Sequence, residues 1–438
     1  MNQQSGRAVR IAHLSDLHYA PTTIAEVGPC MESAVSDAIA ANVDVAIITG
    51  DSTDRPLGAH VPAFQDFVRQ VQRLANHCPV LLLQGTFSHE PLGMLHLFSF
   101  VSARFGIEVV DRIGQIALID KRWKWVQSAG ECRGADLVVS AVPTVNRADL
   151  IASVGAEHVA QAMGDVLAGL MAGVFAPINR ELRAMGIPTV LIGHGTVSGA
   201  RTETGVPMDG LDHEFTTGGL YAALCSAVML GHIHQHQSWS REFEGVSQLI
   251  AYAGSIGRNH WGETGKRGFL IWEVLARSAS FDFVETPACR MVDFTFEGAP
   301  DLDYLRTNAS DLSGAFVRVT YEIDEEFAST VDRKAIREIL RMAQEVHIDG
   351  RVIPAIRRRA PGISRLASLA LKAARWCEAT GNEAEASMIV PRLEMLQTSD
   401  PQTIATSILK GLQHEKNDQG NRRADAVDGV DAVACGPV

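Results

Sequence analysis

Short apolar runs alternate with amphipathic segments along the first two-thirds of the chain. Val9-Arg10-Ile11-Ala12-His13-Leu14 reads as a strand, a helix follows around Met31 to Ala41, and Val43-Asp44-Val45-Ala46-Ile47-Ile48-Thr49 reads as the next strand. From about Ala59 to Ala75, Phe64, Phe67, Val68, Val71 and Leu74 recur at the spacing of one buried helix face. Pro79-Val80-Leu81-Leu82-Leu83, Asp136 to Ala141, Pro188 to Ile192 and Ala227 to Leu230 are further apolar strand candidates. Leu249 to Ala253 and Gly268 to Val274 would complete a second sheet. The stretch from about Ala148 to Met185 is helical, with Val166, Leu167, Leu170, Val174 and Ile178 as packing residues. Continuous apolar strands separated by helices predict an α/β protein whose sheets are covered on both faces.

Five of these strands run into residues that ligate metals. The first ends in Ser15-Asp16-Leu17-His18, one carboxylate and one imidazole from a single extended turn, although an Asp capping the next helix is a competing reading. The second ends in Gly50-Asp51-Ser52-Thr53-Asp54-Arg55, where the glycine permits close backbone approach and Asp51 has two oxygens with which to bridge two cations. Asp54 and Arg55 read as supporting residues, or as an ion pair. The third ends in Gly85-Thr86-Phe87-Ser88-His89-Glu90, the fourth in Gly193-His194-Gly195 and the fifth in Gly231-His232-Ile233-His234. In open α/β sheets the carboxyl ends of the strands share one rim, so residues distant in sequence can meet there.

Charge and cysteine usage narrow the picture only slightly. The net charge of −12 argues against a generally adhesive nucleic-acid binder, yet a local cationic patch or bound metals would still leave an attractive groove. The seven cysteines are scattered and form no Cys-x-x-Cys pair, so neither a disulfide framework nor a zinc ribbon is expected. No tract reaches the length of a membrane span and the N-terminus lacks an apolar signal core, which makes a cytoplasmic location the expectation.

The ordered set Asp16-x-His18, Gly50-Asp51-x-x-Asp54, a glycine turn with His89, Gly193-His194 and Gly231-His232-x-His234 resembles the calcineurin-like metallophosphoesterase superfamily over roughly residues 8 to 275. His194 to Ala200, Ala253-Gly254-Ser255 and Lys266 to Glu273 look most like the SbcD-type DNA repair exonucleases. The resemblance implies a four-layer α/β/β/α sandwich over residues 1–283. It also implies two divalent cations, Mn²⁺ by preference: one on Asp16, His18, Asp51 and His234, the other on Asp51, His194 and His232. His89 would act as general acid. The superfamily's usual asparagine ligand is missing from the third motif, and Ser88, or otherwise Thr86, is the candidate replacement. Ser255, Arg258, Asn259 and His260 could line the substrate groove.

Beyond Val284 the pattern changes. Val317, Val319, Tyr321 and Ile323 alternate with polar residues, and Ile336, Ile339, Leu340 and Ala343 mark a helix face, so residues 284–360 read as a small α+β cap. Arg351 and Arg357-Arg358-Arg359 are its candidates for phosphate contact, or a basic linker. Lys121-Arg122-Trp123-Lys124-Trp125 reads as a solvated hairpin turn, with nucleic-acid contact as the alternative. Residues 361–413 form a helical segment from Ile363 to about Gly381 and another after Asn382, broken or restarted at Pro391. By resemblance this segment docks an SbcC-like, SMC-type ATPase, with packing back on the cap as the alternative. Residues 414–438 read as a disordered tail. The function expected is metal-dependent phosphodiester hydrolysis on DNA ends, single- or double-stranded, with homodimerisation also implied. A small-substrate phosphodiesterase or phosphomonoesterase, and a non-catalytic DNA-end-binding subunit, are the alternatives.

Overall fold

The computed structural model describes residues 7–144, 159–202, 215–243, 245–263, 265–354 and 362–410. Strand β1 (Val9–Leu14) is followed by α1 (Ile24–Ala40), β2 (Val45–Ile48), α2 (Pro62–His77), β3 (Val80–Leu83) and β4 (Ile107–Val110). β1 to β4 are parallel neighbours in a six-stranded sheet. A second sheet is built from β5 (Gly114–Ile119), β6 (Arg122–Val126), β7 (Leu137–Val142), β8 (Thr189–His194), β9 (Ala227–Gly231), β10 (Gln237–Phe243) and β11 (Val246–Tyr252). Its central strands β7, β8, β9 and β11 are parallel. The chain then returns to the first sheet, where β12 (Gly268–Val274) runs antiparallel to β1 and β13 (Ala279–Glu285) closes the edge.

Burial alternates along the strands and shows what faces what. Ile11, Ile47, Leu81 and Trp272 from the first sheet meet Ile116, Val139, Ile192 and Met229 from the second in one buried apolar cluster. Leu14, Ile48 and Leu82 point the other way, against Met31 and Val35 of α1 and Phe67 and Val71 of α2. Leu191, Val228 and Ile250 on the far face of the second sheet pack on helices α3 (Val159–Leu170) and α5 (Thr217–Ala222). With both faces of each sheet covered, nearly every residue of the central strands is apolar. The mixed α/β prediction holds.

Between β7 and β8 the helix is not the regular one the sequence suggests. A π-helical turn at Met171–Phe175 separates α3 from α4 (Ala176–Ala184). The buried stripe runs through Met163, Leu167, Met171 and Phe175, and the wider turn keeps the last two in line with the first two. Val166 and Val174, expected in the packing face, are instead 59% and 50% exposed. Residues 148–158 of the expected helix lie outside the described residues.

The basic and aromatic segment at Lys121 is a tight hairpin followed by an edge strand. Asp120 and Lys121 have φ of 51° and 61°, the turn that matches strand twist, and β6 pairs antiparallel with β5. Its tryptophans are used internally: Trp123 Nε1 donates to the Val80 carbonyl at 3.1 Å and Trp125 Nε1 to Glu108 at 3.0 Å.

A third sheet of β14 (Met291–Glu297), β15 (Phe316–Asp324) and β16 (Glu345–Ile353) carries α6 (Leu302–Asn308) and α7 (Arg333–Ile339). β14 and β15 are parallel, with α6 in the crossover between them. Leu305, Val317, Val319 and Ile336 are buried in its core. Arg351 donates to Glu322 at 3.0 Å, and residues 357–359 lie outside the described residues. These three sheets fall in one compact unit, residues 1–323 with 329–351.

The other unit comprises residues 324–328 with 352–438, and its main described elements are two helices. α8 (Leu369–Thr380) ends at Gly381, whose φ of 73° reverses the chain into α9 (Glu383–Thr398). Pro391 sits inside α9 without ending it, contrary to the break expected there. Only Ala370 and Cys377 of α8 are buried and none of α9, while Leu369, Leu371 and Met388 are more than half exposed. Residues 414–438 lie outside the described residues. Among those described, no helix is long and apolar enough to cross a membrane.

Candidate metal centre

The five strand ends meet. Backbone hydrogen bonds tie the turn after β1 to the turn after β2: Asp16 N to Gly50 O at 3.2 Å, His18 N to Asp51 O at 3.0 Å and Tyr19 N to Ser52 O at 3.0 Å. From β9, the His232 amide donates to both oxygens of Asp16, at 2.9 and 3.1 Å. Close packing of main chains is possible because Gly85 and Gly231 lack a Cβ. One built on Gly85 would lie 2.2 Å from Asp51 N, and one on Gly231 would lie 2.1 Å from Thr49 O. Asp16, His18, Asp51 and His232 all adopt positive φ, 49° for the first three and 102° for the last. Such conformations cost roughly 1–3 kcal/mol each and persist where the surroundings impose them.

Two groups of donors result. Asp16, His18 and His234 place one ligand atom each within 4.8 Å of one another, and so do Asp51, His194 and His232. Asp51 belongs to the second group, its carboxylate 3.2 Å from His194 Nε2, and its main-chain carbonyl accepts the His18 amide of the first. All six side chains are buried or nearly so.

Hydrogen bonds on the outer edges of the imidazoles decide which nitrogen faces inward. His194 Nδ1 donates to the Thr49 carbonyl at 2.7 Å, which turns Nε2 toward Asp51 Oδ2 at 3.2 Å. His234 Nδ1 faces Glu263 Oε1 at 2.8 Å, which turns its Nε2 toward His18 Nε2, 3.0 Å away. Burial, reinforced by the charge of neighbouring imidazoles, pushes His18 down to about 3 and His232 down to about 4. Those two rings are therefore neutral and ready to donate lone pairs. At His194 burial also opposes the charge, but the Asp51 carboxylate outweighs it and raises the ring to about 10. Asp51 is held well below the usual carboxylate range, its burial overcome by His194.

This donor set fits two divalent cations. Inward-facing imidazole nitrogens only 3.0 Å apart leave a lone pair that a cation would satisfy. Imidazole mixed with carboxylate suits Mn²⁺, Fe²⁺ or Zn²⁺ better than Ca²⁺.

The third motif departs from the sequence expectation. The chain turns tightly after Gly85, with His89 N and Glu90 N both donating to the Thr86 carbonyl at 2.9 and 2.8 Å. That turn presents Thr86, not Ser88, to the site: Thr86 Oγ1 lies 3.2 Å from Asp51 Oδ2 and 3.3 Å from His194 Nε2. Ser88 is exposed at the outside of the turn. His89 reaches inward, its Nδ1 donating to the Asp54 carbonyl at 2.5 Å and its Nε2 4.0 Å from Asp51 Oδ2. Asp54 thus orients His89 through its backbone, while its carboxylate lies 3.8 Å from His18 Nδ1 and 3.9 Å from Arg55. Glu90, whose role is not apparent from sequence, is fully buried and accepts from Ser52 N and Gly85 N at 2.5 and 2.7 Å. It fastens the second motif to the third. Burial, with the Asp51 charge nearby, raises its carboxyl to about 7.

A cavity of about 340 Å³ opens onto both donor groups and is also lined by Thr22, Thr23, His89, Asn259 and His260. Of the residues expected at the groove, Asn259 and His260 are there. Ser255 and Arg258 are spent on local backbone, Ser255 Oγ donating to Gly257 O and Arg258 Nε to Cys289 O.

No family model matches the chain, and no curated protein aligns with it. Among solved structures the chain is similar to a dimetal phosphatase from Danio rerio, with 10% identity over 63% of this chain and 98% of that one and a TM-score of 0.36.

Proposed function

We propose that the chain is a two-metal phosphodiesterase of the calcineurin-like metallophosphoesterase superfamily, built as a four-layer sandwich, and that it hydrolyses DNA at its ends as SbcD-type exonucleases do. The observation that carries the reading is the pair of donor groups beside a cavity lined by Asp51 and His89. Two divalent cations on these donors, Mn²⁺ by preference, would polarise a water and draw off the charge that builds on the phosphate.

The chain's own residues do the rest. His89, pinned at Nδ1 by the Asp54 carbonyl, presents Nε2 to the cavity. In its doubly protonated form it hands that proton to the departing oxygen. Asp51 is kept ionised and fixed by the Thr86 amide at 2.7 Å, so the negative charge that the cations need stays in place. A polymeric substrate is favoured by the third sheet, which touches the loop lining the cavity through Trp261, 5.8 Å from the rings of both Phe316 and His347. The exposed apolar residues of α8 and α9 favour a helical partner, for which the coiled coil of an SbcC-like ATPase is the proposed occupant.

The test is cleavage of end-labelled linear duplex and single-stranded DNA with Mn²⁺, alongside a small chromogenic phosphodiester and His89→Ala. Mn²⁺-dependent loss of DNA that disappears in the variant supports the reading. Cleavage of the small ester alone replaces DNA with a small substrate. Failure on both, with or without an SbcC-like ATPase, refutes hydrolysis and leaves an end-binding subunit.

A further inference from the structure

Glu263 is fully buried and belongs to none of the strand-end motifs. One of its oxygens faces His234 Nδ1 at 2.8 Å and the other accepts the Asn259 amide at 2.8 Å. The buried Arg267 guanidinium lies 3.7 Å from it and also donates to the His234 carbonyl, so charge and main chain are both held around the same imidazole. His260 at the cavity wall lies 3.4 Å from the oxygen that His234 uses.

A carboxylate beside this arginine can only accept, so the proton on His234 sits at Nδ1 and the lone pair at Nε2. Nε2 is the nitrogen that faces His18 and the first donor group. We infer that Glu263 is a positioning residue that fixes the tautomer and ring orientation of His234 and thereby tunes cation affinity at the Asp16, His18 and His234 group. His234, His260 and Glu263 could alternatively be taken as a third cation site. A cation there would require an unprotonated Nδ1 and so a proton on Nε2, which would withdraw that nitrogen from the Asp16, His18 and His234 group.

The inference rests on the two-metal reading, and its test separates the two. Glu263→Gln keeps the shape but has one acceptor oxygen for two N–H donors, so His234 Nδ1 or the Asn259 amide must face an NH₂ group. Glu26→Gln is the control, because Glu26 also holds this loop, through the Arg258 amide at 3.0 Å, without touching His234. Nitrogen-15 spectra of histidine-labelled, metal-free protein should show His234 as the Nδ1–H tautomer in the parent chain and in Glu26→Gln, and a mixture in Glu263→Gln. In Mn²⁺ titrations one of two affinities should fall about 10- to 100-fold in Glu263→Gln, the other staying unchanged. Should Glu263→Gln not fold, Glu263→Asp keeps the charge, retracts the oxygen by one C–C bond and should show the same loss in milder form.

Unchanged tautomer and affinities in either Glu263 variant would overturn the inference, as would an equal loss in Glu26→Gln or binding of a third cation that Glu263→Gln abolishes. A parent chain that binds no cation would overturn both readings. One that binds two cations yet cleaves no phosphoester would refute the function alone, with the Glu263 effect still read in the spectra and titrations.

Discussion

Gly85→Ala tests the closeness on which the centre depends. The added Cβ would lie 2.2 Å from Asp51 N, 2.5 Å from Asp51 Oδ1 and 3.0 Å from the Gly50 carbonyl carbon, where ordinary contact begins at 3.4 Å. The obstruction is main chain and a pinned carboxylate, not the end of a flexible side chain, so a motif must move by about 1 Å. Overpacking of this size typically costs about 1–3 kcal/mol of stability, which a domain of this size survives. Function should suffer more, because a displacement of about 1 Å in a reacting centre can cost ~10²-fold in rate. The assay is Mn²⁺-dependent cleavage with thermal unfolding measured in parallel, and Gly106→Ala serves as control because its Cβ meets nothing within 4 Å. A folded Gly85→Ala protein that binds metal and cleaves like the parent would refute the reasoning.

Other outcomes follow from single residues. His89→Ala should lower turnover by ~10²–10⁴-fold while two cations still bind, read by kinetics and metal titration. His194 is raised to about 10 by Asp51, so below that pH a cation at Asp51, His194 and His232 must displace a proton. Affinity there should rise about tenfold per pH unit until about pH 10, with close to one proton released per cation, measured by calorimetry in buffers of different ionisation enthalpy. His18 and His232, pushed down to about 3 and 4, should release none. Leu167→Ala should cost ~2–5 kcal/mol in denaturant unfolding, whereas Val166→Ala, at an exposed position of the same helix, should stay within about 0.5 kcal/mol.

The strand-end residues were legible because parallel strands deliver their carboxyl ends to one rim, whatever the sequence distance between them. Asp16, His18, Asp51, His194, His232 and His234 each follow an apolar run that could be read by eye. Thr86 was harder: counting back from His89 favours Ser88, but the turn closed on the Thr86 carbonyl points Ser88 outward. Glu263 gave no signal, since it lies in an irregular loop and its meaning comes only from the approach of His234. Glu90 was visible beside His89, yet its hydrogen bonds to Ser52 and Gly85 depend on how two turns stack. Of the helix residues expected to pack, Leu167, Leu170 and Ile178 do, and Val166 and Val174 do not. One wide turn at Met171–Phe175 changes the register without altering the apolar content.

The sharing of Asp51 by both donor groups is the claim on which the rest depends. It is tested most directly by counting Mn²⁺ ions bound per chain in the parent, in Asp51→Asn, in His18→Ala and in His232→Ala. Two ions in the parent, one tight ion in each histidine variant and weakened binding of both in Asp51→Asn is the expected pattern. A parent that binds at most one ion, or an Asp51→Asn protein that keeps both as tightly, would contradict it.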